Sequence, residues 1–153
     1  MRAAAVASSC LIAVLGAALA AGCVDVREHE GTWIGQRVGD APALRVGMAD
    51  QLSATLQVEE ATLRTFRGRL TTDDDVFKDA LIQPLAGAEA DVLGGATFHG
   101  SPLKVYFAFA ATGDGGGDAL IVVALYAGPR IEARVMRGGT LPLYGIFRFD
   151  RRQ

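Results

Sequence analysis

The stretch from Leu103 to Asp150 constrains this chain most, because its apolar residues recur with the period of a β-strand between glycine-rich breaks. Leu103, Val105, Phe107, Phe109 and Ala111 share one parity, so a strand over 103–111 carries a fully apolar face. Gly113 to Asp118 contains four glycines and two aspartates and reads as a loop. Residues 119–127 are apolar at every position, and Gly128-Pro129 turns the chain. Over 130–137, Ile131, Ala133 and Val135 alternate with Arg130, Glu132 and Arg134, the pattern of a half-buried strand. Gly138-Gly139 is a hairpin-turn signal and 143–150 supplies the last strand, so four successive antiparallel strands are expected.

The first half fits the same plan less tightly. Gly31–Val38 reads as a short strand. Leu52, Ala54, Leu56 and Val58 have period two, with 62–70 as their hairpin partner. Met48, Leu52, Leu56 and Leu63 also match helical spacing, so a helix over 48–63 stays open. Thr72-Asp73-Asp74-Asp75 before Val76, Phe77, Ala80 and Leu81 has the form of an N-cap and an acidic first turn, and Pro84 closes it. The pattern predicts one short helix at 74–82. The fold class is therefore mainly β, a small antiparallel barrel or sandwich with one short helix. The alternative is α+β with a helix packed on an antiparallel sheet, because residues 119–127 have no polar face and need a cover on both sides.

The front of the chain is a different object. The 153 residues, 50% hydrophobic with formal net charge −2, suffice for one domain, yet no acidic residue precedes Asp25. Arg2, the apolar run Ala3–Leu19 and the small residues Ala20-Ala21-Gly22 form a signal peptide over 1–22. Leu19-Ala20-Ala21-Gly22-Cys23 resembles the lipobox of bacterial lipoproteins, with the leucine one position further out than usual. That resemblance implies cleavage before Cys23 and lipid attachment on its thiol. Residues 23–30 then form a lipidated tether and 31–153 a single β-rich domain. Cysteine arithmetic agrees, since Cys10 leaves with the signal and Cys23 has no disulfide partner. In such lipoproteins an Asp after the Cys favours the inner membrane. Val24 stands there instead, which implies the outer membrane, facing the periplasm or the cell surface.

No catalytic constellation is visible, and an enzyme is not expected. His29 and His99 are the only histidines, and Ser53 and Ser101 lack a nucleophile motif. No set of zinc ligands exists, so neither a metal nor a cofactor is expected. Asp73, Asp74, Asp75 and Asp79 lack the spacing of a calcium loop and read as capping and solvated residues. The glycines of 113–118 precede a strand rather than a helix, which argues against a phosphate cradle. From Lys104 onward basic residues outnumber acidic ones 7 to 4, whereas residues 73–91 are 6 to 1 acidic, so the chain is dipolar. For an exported protein a basic patch would meet anionic headgroups or lipopolysaccharide, not nucleic acid.

Gly31-Thr32-Trp33 at the start of the first strand resembles the Gly-x-Trp of the lipocalins and their calycin relatives. That resemblance implies a barrel that binds an apolar ligand and an arginine of the last strand, here Arg148, laid over Trp33. Two functions follow as expectations. The first is a lipid-anchored envelope module that holds a small apolar ligand in a barrel pocket lined by Trp33, Phe107, Phe109 and Phe147. The alternative is an envelope accessory lipoprotein that docks a partner protein through an apolar sheet face.

Overall fold

The computed structural model describes residues 25–38, 47–49, 51–85 and 100–152. Eight strands form one closed antiparallel barrel in which each strand pairs with its sequence neighbours and β8 closes on β1. They are β1 (Gly31–Val38), β2 (Ser53–Ala61), β3 (Phe66–Thr72), β4 (Ala80–Pro84), β5 (Lys104–Ala111), β6 (Asp118–Tyr126), β7 (Arg130–Arg137) and β8 (Leu143–Arg151). The expected mainly β class and the four antiparallel strands of the second half are present. Closure leaves no unpaired sheet edge, the usual hazard of an all-β domain of this size.

Residues 53–61 are strand, so the helical spacing of Met48, Leu52, Leu56 and Leu63 is incidental. Burial alternates along β2, with Ala54, Leu56 and Val58 inside and Gln57 and Glu59 outside. The helix expected at 74–82 does not form, and among the described residues the one helical element is a four-residue 3-10 turn at Val26–His29. The side chains read as a helix cap close a loop instead. Asp74 Oδ1 accepts from the Thr72 hydroxyl at 2.6 Å and the Val76 N–H at 3.1 Å, and Thr72 Oγ1 accepts from the Phe77 N–H at 3.0 Å. Such local bonds compete directly with helical ones. Asp75 and Asp79 then take φ values of 58° and 48°, which a right-handed helix cannot include. The loop drives Phe77 fully into the barrel end and returns the chain as β4.

The interior is apolar, while outward positions on β2 and β3 carry Glu59, Arg67 and Arg69, joined by ion pairs at 3.0 and 3.2 Å. Over β2 and β3 this is the reverse of a barrel that spans a membrane, which is apolar outside and polar within.

Candidate functional site

The four residues expected to line a pocket do not share one. Trp33 and Phe147 point inward and are completely buried. Phe107 and Phe109 lie on the outer surface of β5, whose inward residues are Tyr106, Ala108 and Ala110. Beyond Lys104 both parities of 103–111 are apolar, so the choice falls to volume. Trp33, Phe66, Phe77, Phe147 and Phe149 already occupy the interior. An eight-strand barrel is only about wide enough for its own side chains or one small ligand, and after Tyr106 the strand turns the small Ala108 and Ala110 inward. Elsewhere glycine makes the room, since a Cβ at Gly35 would run into the Phe149 ring. Two clefts lined by described residues, of about 410 Å³ beside Ile34, Gln36 and Arg148 and about 340 Å³ beside Val26, Arg27 and Leu63, both open on the outside.

One end of the barrel is closed by the segment expected to be a polar tether. The 3-10 turn buries Val26 and His29 against the barrel. The imidazole stacks on the Trp33 ring with centroids 5.9 Å apart and planes 17° from parallel. Its nitrogens face two carbonyls, Val26 O at 3.2 Å and Tyr126 O at 2.9 Å. The Trp33 indole N–H donates to His29 O at 2.8 Å. Arg148 is not over Trp33. Phe147 and Phe149 point inward, so Arg148 between them points outward, where its Nε lies 3.9 Å from Glu132. The arginine in register with Trp33 is Arg151, which donates to the carbonyls of Glu28 and Glu30 and clasps the turn from outside.

The outer face of β4 to β8 holds the surface that sequence reading missed. Phe109, Leu120, Met136 and Tyr144 are cross-strand partners on β5, β6, β7 and β8, so they form one row across four strands. Neighbouring strands are about 4.8 Å apart. Leu81 of β4, 39% exposed like Phe109, extends the patch. Each residue looks ordinary in its own strand, and only the register joins them. Nearer the closed end, Val122, Ala124 and Tyr126 face outward yet are buried, which explains why 119–127 has no polar position. The helix expected at 74–82 does not form, and no helix among the described residues covers them. Glu132 on the same face is 3% exposed and is held by Arg134 at 3.0 Å. The Tyr126 hydroxyl is buried with no hydrogen-bond partner, and burial raises its pKa. A buried hydroxyl without a partner costs about 1–3 kcal/mol. Tyr126→Phe, which keeps the ring under Arg130 at 4.0 Å, is therefore expected to leave stability unchanged or raise it by about 1 kcal/mol in a urea titration.

At the opposite end the glycine loop is a clasp. Arg137, 6% exposed, donates to Asp114 through Nη1 at 2.9 Å and Nη2 at 2.6 Å, to Thr112 Oγ1 at 2.5 Å and to Leu141 O at 2.8 Å. Its guanidinium fills the space a side chain at Gly116 would need. Asp79 pairs with Arg69 at 2.9 Å, and no three metal-ligating side chains converge among the described residues. Ser53 begins β2 at the clasp end and Ser101 is an exposed residue before β5, so the topology keeps them at opposite ends. Cys23 and His99 lie outside the described residues. Comparison with models of protein families, with curated proteins and with solved structures gave no match in any of the three.

Proposed function

We propose that this chain is a non-enzymatic accessory lipoprotein of the bacterial cell envelope, anchored through Cys23, that binds a partner protein on the outer face of β4–β8. The observation that carries the reading is the row Phe109–Leu120–Met136–Tyr144 with Leu81, all of them at least partly exposed. An apolar patch spanning several strands marks an interaction surface more often than a scatter of single apolar residues does. Exposed Asp118 at the start of β6 and the acidic loop Asp73–Asp75 border it at the clasp end, so the complementary partner surface is apolar with basic residues at that edge.

A photoreactive residue in place of Leu120 is expected to give one discrete adduct in intact cells, and one in place of Arg67 on the opposite wall none. Phe109→Asp should abolish the adduct while leaving the melting temperature within a few degrees, since Phe109 contributes little to the core. Equal adducts from both walls, or an adduct that survives Phe109→Asp, would overturn the reading.

A second reading, a small apolar guest within the barrel, has the closed eight-strand architecture in its favour. The full burial of Trp33, Phe66, Phe147 and Phe149 weighs against it. Mass spectrometry of small molecules released from natively purified protein separates the two readings.

A further inference from the structure

We infer that the closed end of the barrel rests on the membrane and that the cleft between the 3-10 turn and the β2–β3 turn receives anionic phospholipid headgroups. The inference builds on the lipid-anchor reading of Cys23. Because the turn at Val26–His29 is docked by His29, Trp33 and Arg151, only Val24 and Asp25 separate Cys23 from the barrel. A fully extended chain covers at most about 3.6 Å per residue, so the Cys23 Cα lies within roughly 11 Å of that of Val26. A leash so short keeps this end, and no other, within reach of the headgroup layer.

The residues presented there suit that layer. The cleft is lined by Asp25, Val26, Arg27, Thr62, Leu63 and Arg64. Leu63 sits at the tip of the β2–β3 turn and is 55% exposed, the most exposed of the large apolar side chains described. Arg27 and Arg64 are exposed beside it. Glu28 is exposed in the same turn, while the carboxylates nearest the cleft each accept a hydrogen bond from the protein. Asp25 Oδ1 accepts the Arg27 N–H at 3.0 Å, Glu30 Oε1 the Ala61 N–H at 3.2 Å, and Glu60 Oε1 the Thr65 hydroxyl at 3.1 Å. An apolar tip between two guanidinium groups matches an acyl boundary below a layer of phosphates. Exposed Arg130 and Arg152 occupy the same end, while Asp73, Asp74, Asp75, Asp114 and Asp118 occupy the far one.

The test places a fluorophore on Leu63→Cys or Asp118→Cys in the acylated protein, reconstituted in phosphatidylcholine vesicles with or without phosphatidylglycerol and carrying a headgroup spin label. Quenching is expected at position 63 and not at 118. It should fall when phosphatidylglycerol is omitted, and again in Arg27→Glu with Arg64→Glu. Equal quenching at both positions, or quenching indifferent to both charge changes, would overturn the inference. Intact mass spectrometry reads the anchor separately. If no acyl chain is found, the lipoprotein reading fails, and sedimentation of the same chain with phosphatidylglycerol vesicles decides the headgroup site alone. Reversing both charges should weaken that binding roughly tenfold or more. Unchanged sedimentation on reversing both charges excludes the site.

Discussion

Trp33→Ala is expected to cost about 3–5 kcal/mol, the usual loss when a large aromatic side chain is removed from a core. Against a total stability of about 5–15 kcal/mol for a domain, a loss of that size shifts the denaturation midpoint far down. The reason is specific to this barrel. The indole fills the interior at the closed end, stacks on His29 and donates to His29 O, so its loss opens a cavity and releases the turn that caps the barrel. Trp33→Phe separates the two contributions. It keeps most of the volume and leaves His29 O without its donor, for an expected cost of about 1–2 kcal/mol. Trp33 is the only tryptophan, so urea unfolding must be followed by far-ultraviolet circular dichroism. A cost below about 1 kcal/mol for the alanine variant would mean that the interior can collapse around the gap and that the turn holds without the indole.

The second large effect is expected at Arg137. Removing a nearly buried guanidinium with four strong acceptors should cost about 2 kcal/mol or more, and lysine should not rescue it. A point ammonium cannot bond both oxygens of Asp114, the Thr112 hydroxyl and Leu141 O together. The same clasp sets a pH dependence. Arg137 first, then the Gly116 N–H and the Thr112 hydroxyl, hold the Asp114 carboxyl well below the usual carboxylate range. Its folded pKa is lower than its unfolded one. The contribution is therefore complete above about pH 4, the ordinary range of an unfolded aspartate, and is lost as the pH falls through the depressed folded value. Stability measured from pH 5 downward should fall more steeply in the parent protein than in Arg137→Lys or Asp114→Asn. Parallel pH profiles would show that solvent screens the pair, since Asp114 is partly exposed.

Much of the fold was legible in one dimension. The alternation of β7, the glycine and Gly-Pro breaks, and the burial of both faces of β6 over Ile121–Tyr126 all follow from hydrophobic period and turn chemistry, which act over a few residues. The acidic segment at 72–79 was misread for a local reason too. Threonine and aspartate side chains cap a helix or close a loop with the same atoms, and the positive φ at Asp75 and Asp79 decides between them. The site was less legible. Trp33, Phe107, Phe109 and Phe147 were all read as lining a pocket; Trp33 and Phe147 point inward but as packed core, and Phe107 and Phe109 were placed inside because their parity is the fully apolar one.

What the sequence determined by itself is the mainly antiparallel β character, because this depends on the spacing of apolar and turn-forming residues along the chain. What only the tertiary structure decided is which face of β5 turns inward, which arginine lies at the Trp33 end, that the segment after Cys23 docks as a plug, and that Phe109, Leu120, Met136 and Tyr144 form one row. Each of these depends on closure. Once β8 pairs with β1, the interior volume is fixed, aromatic residues from distant strands compete for it, and cross-strand register joins residues that local spacing cannot relate.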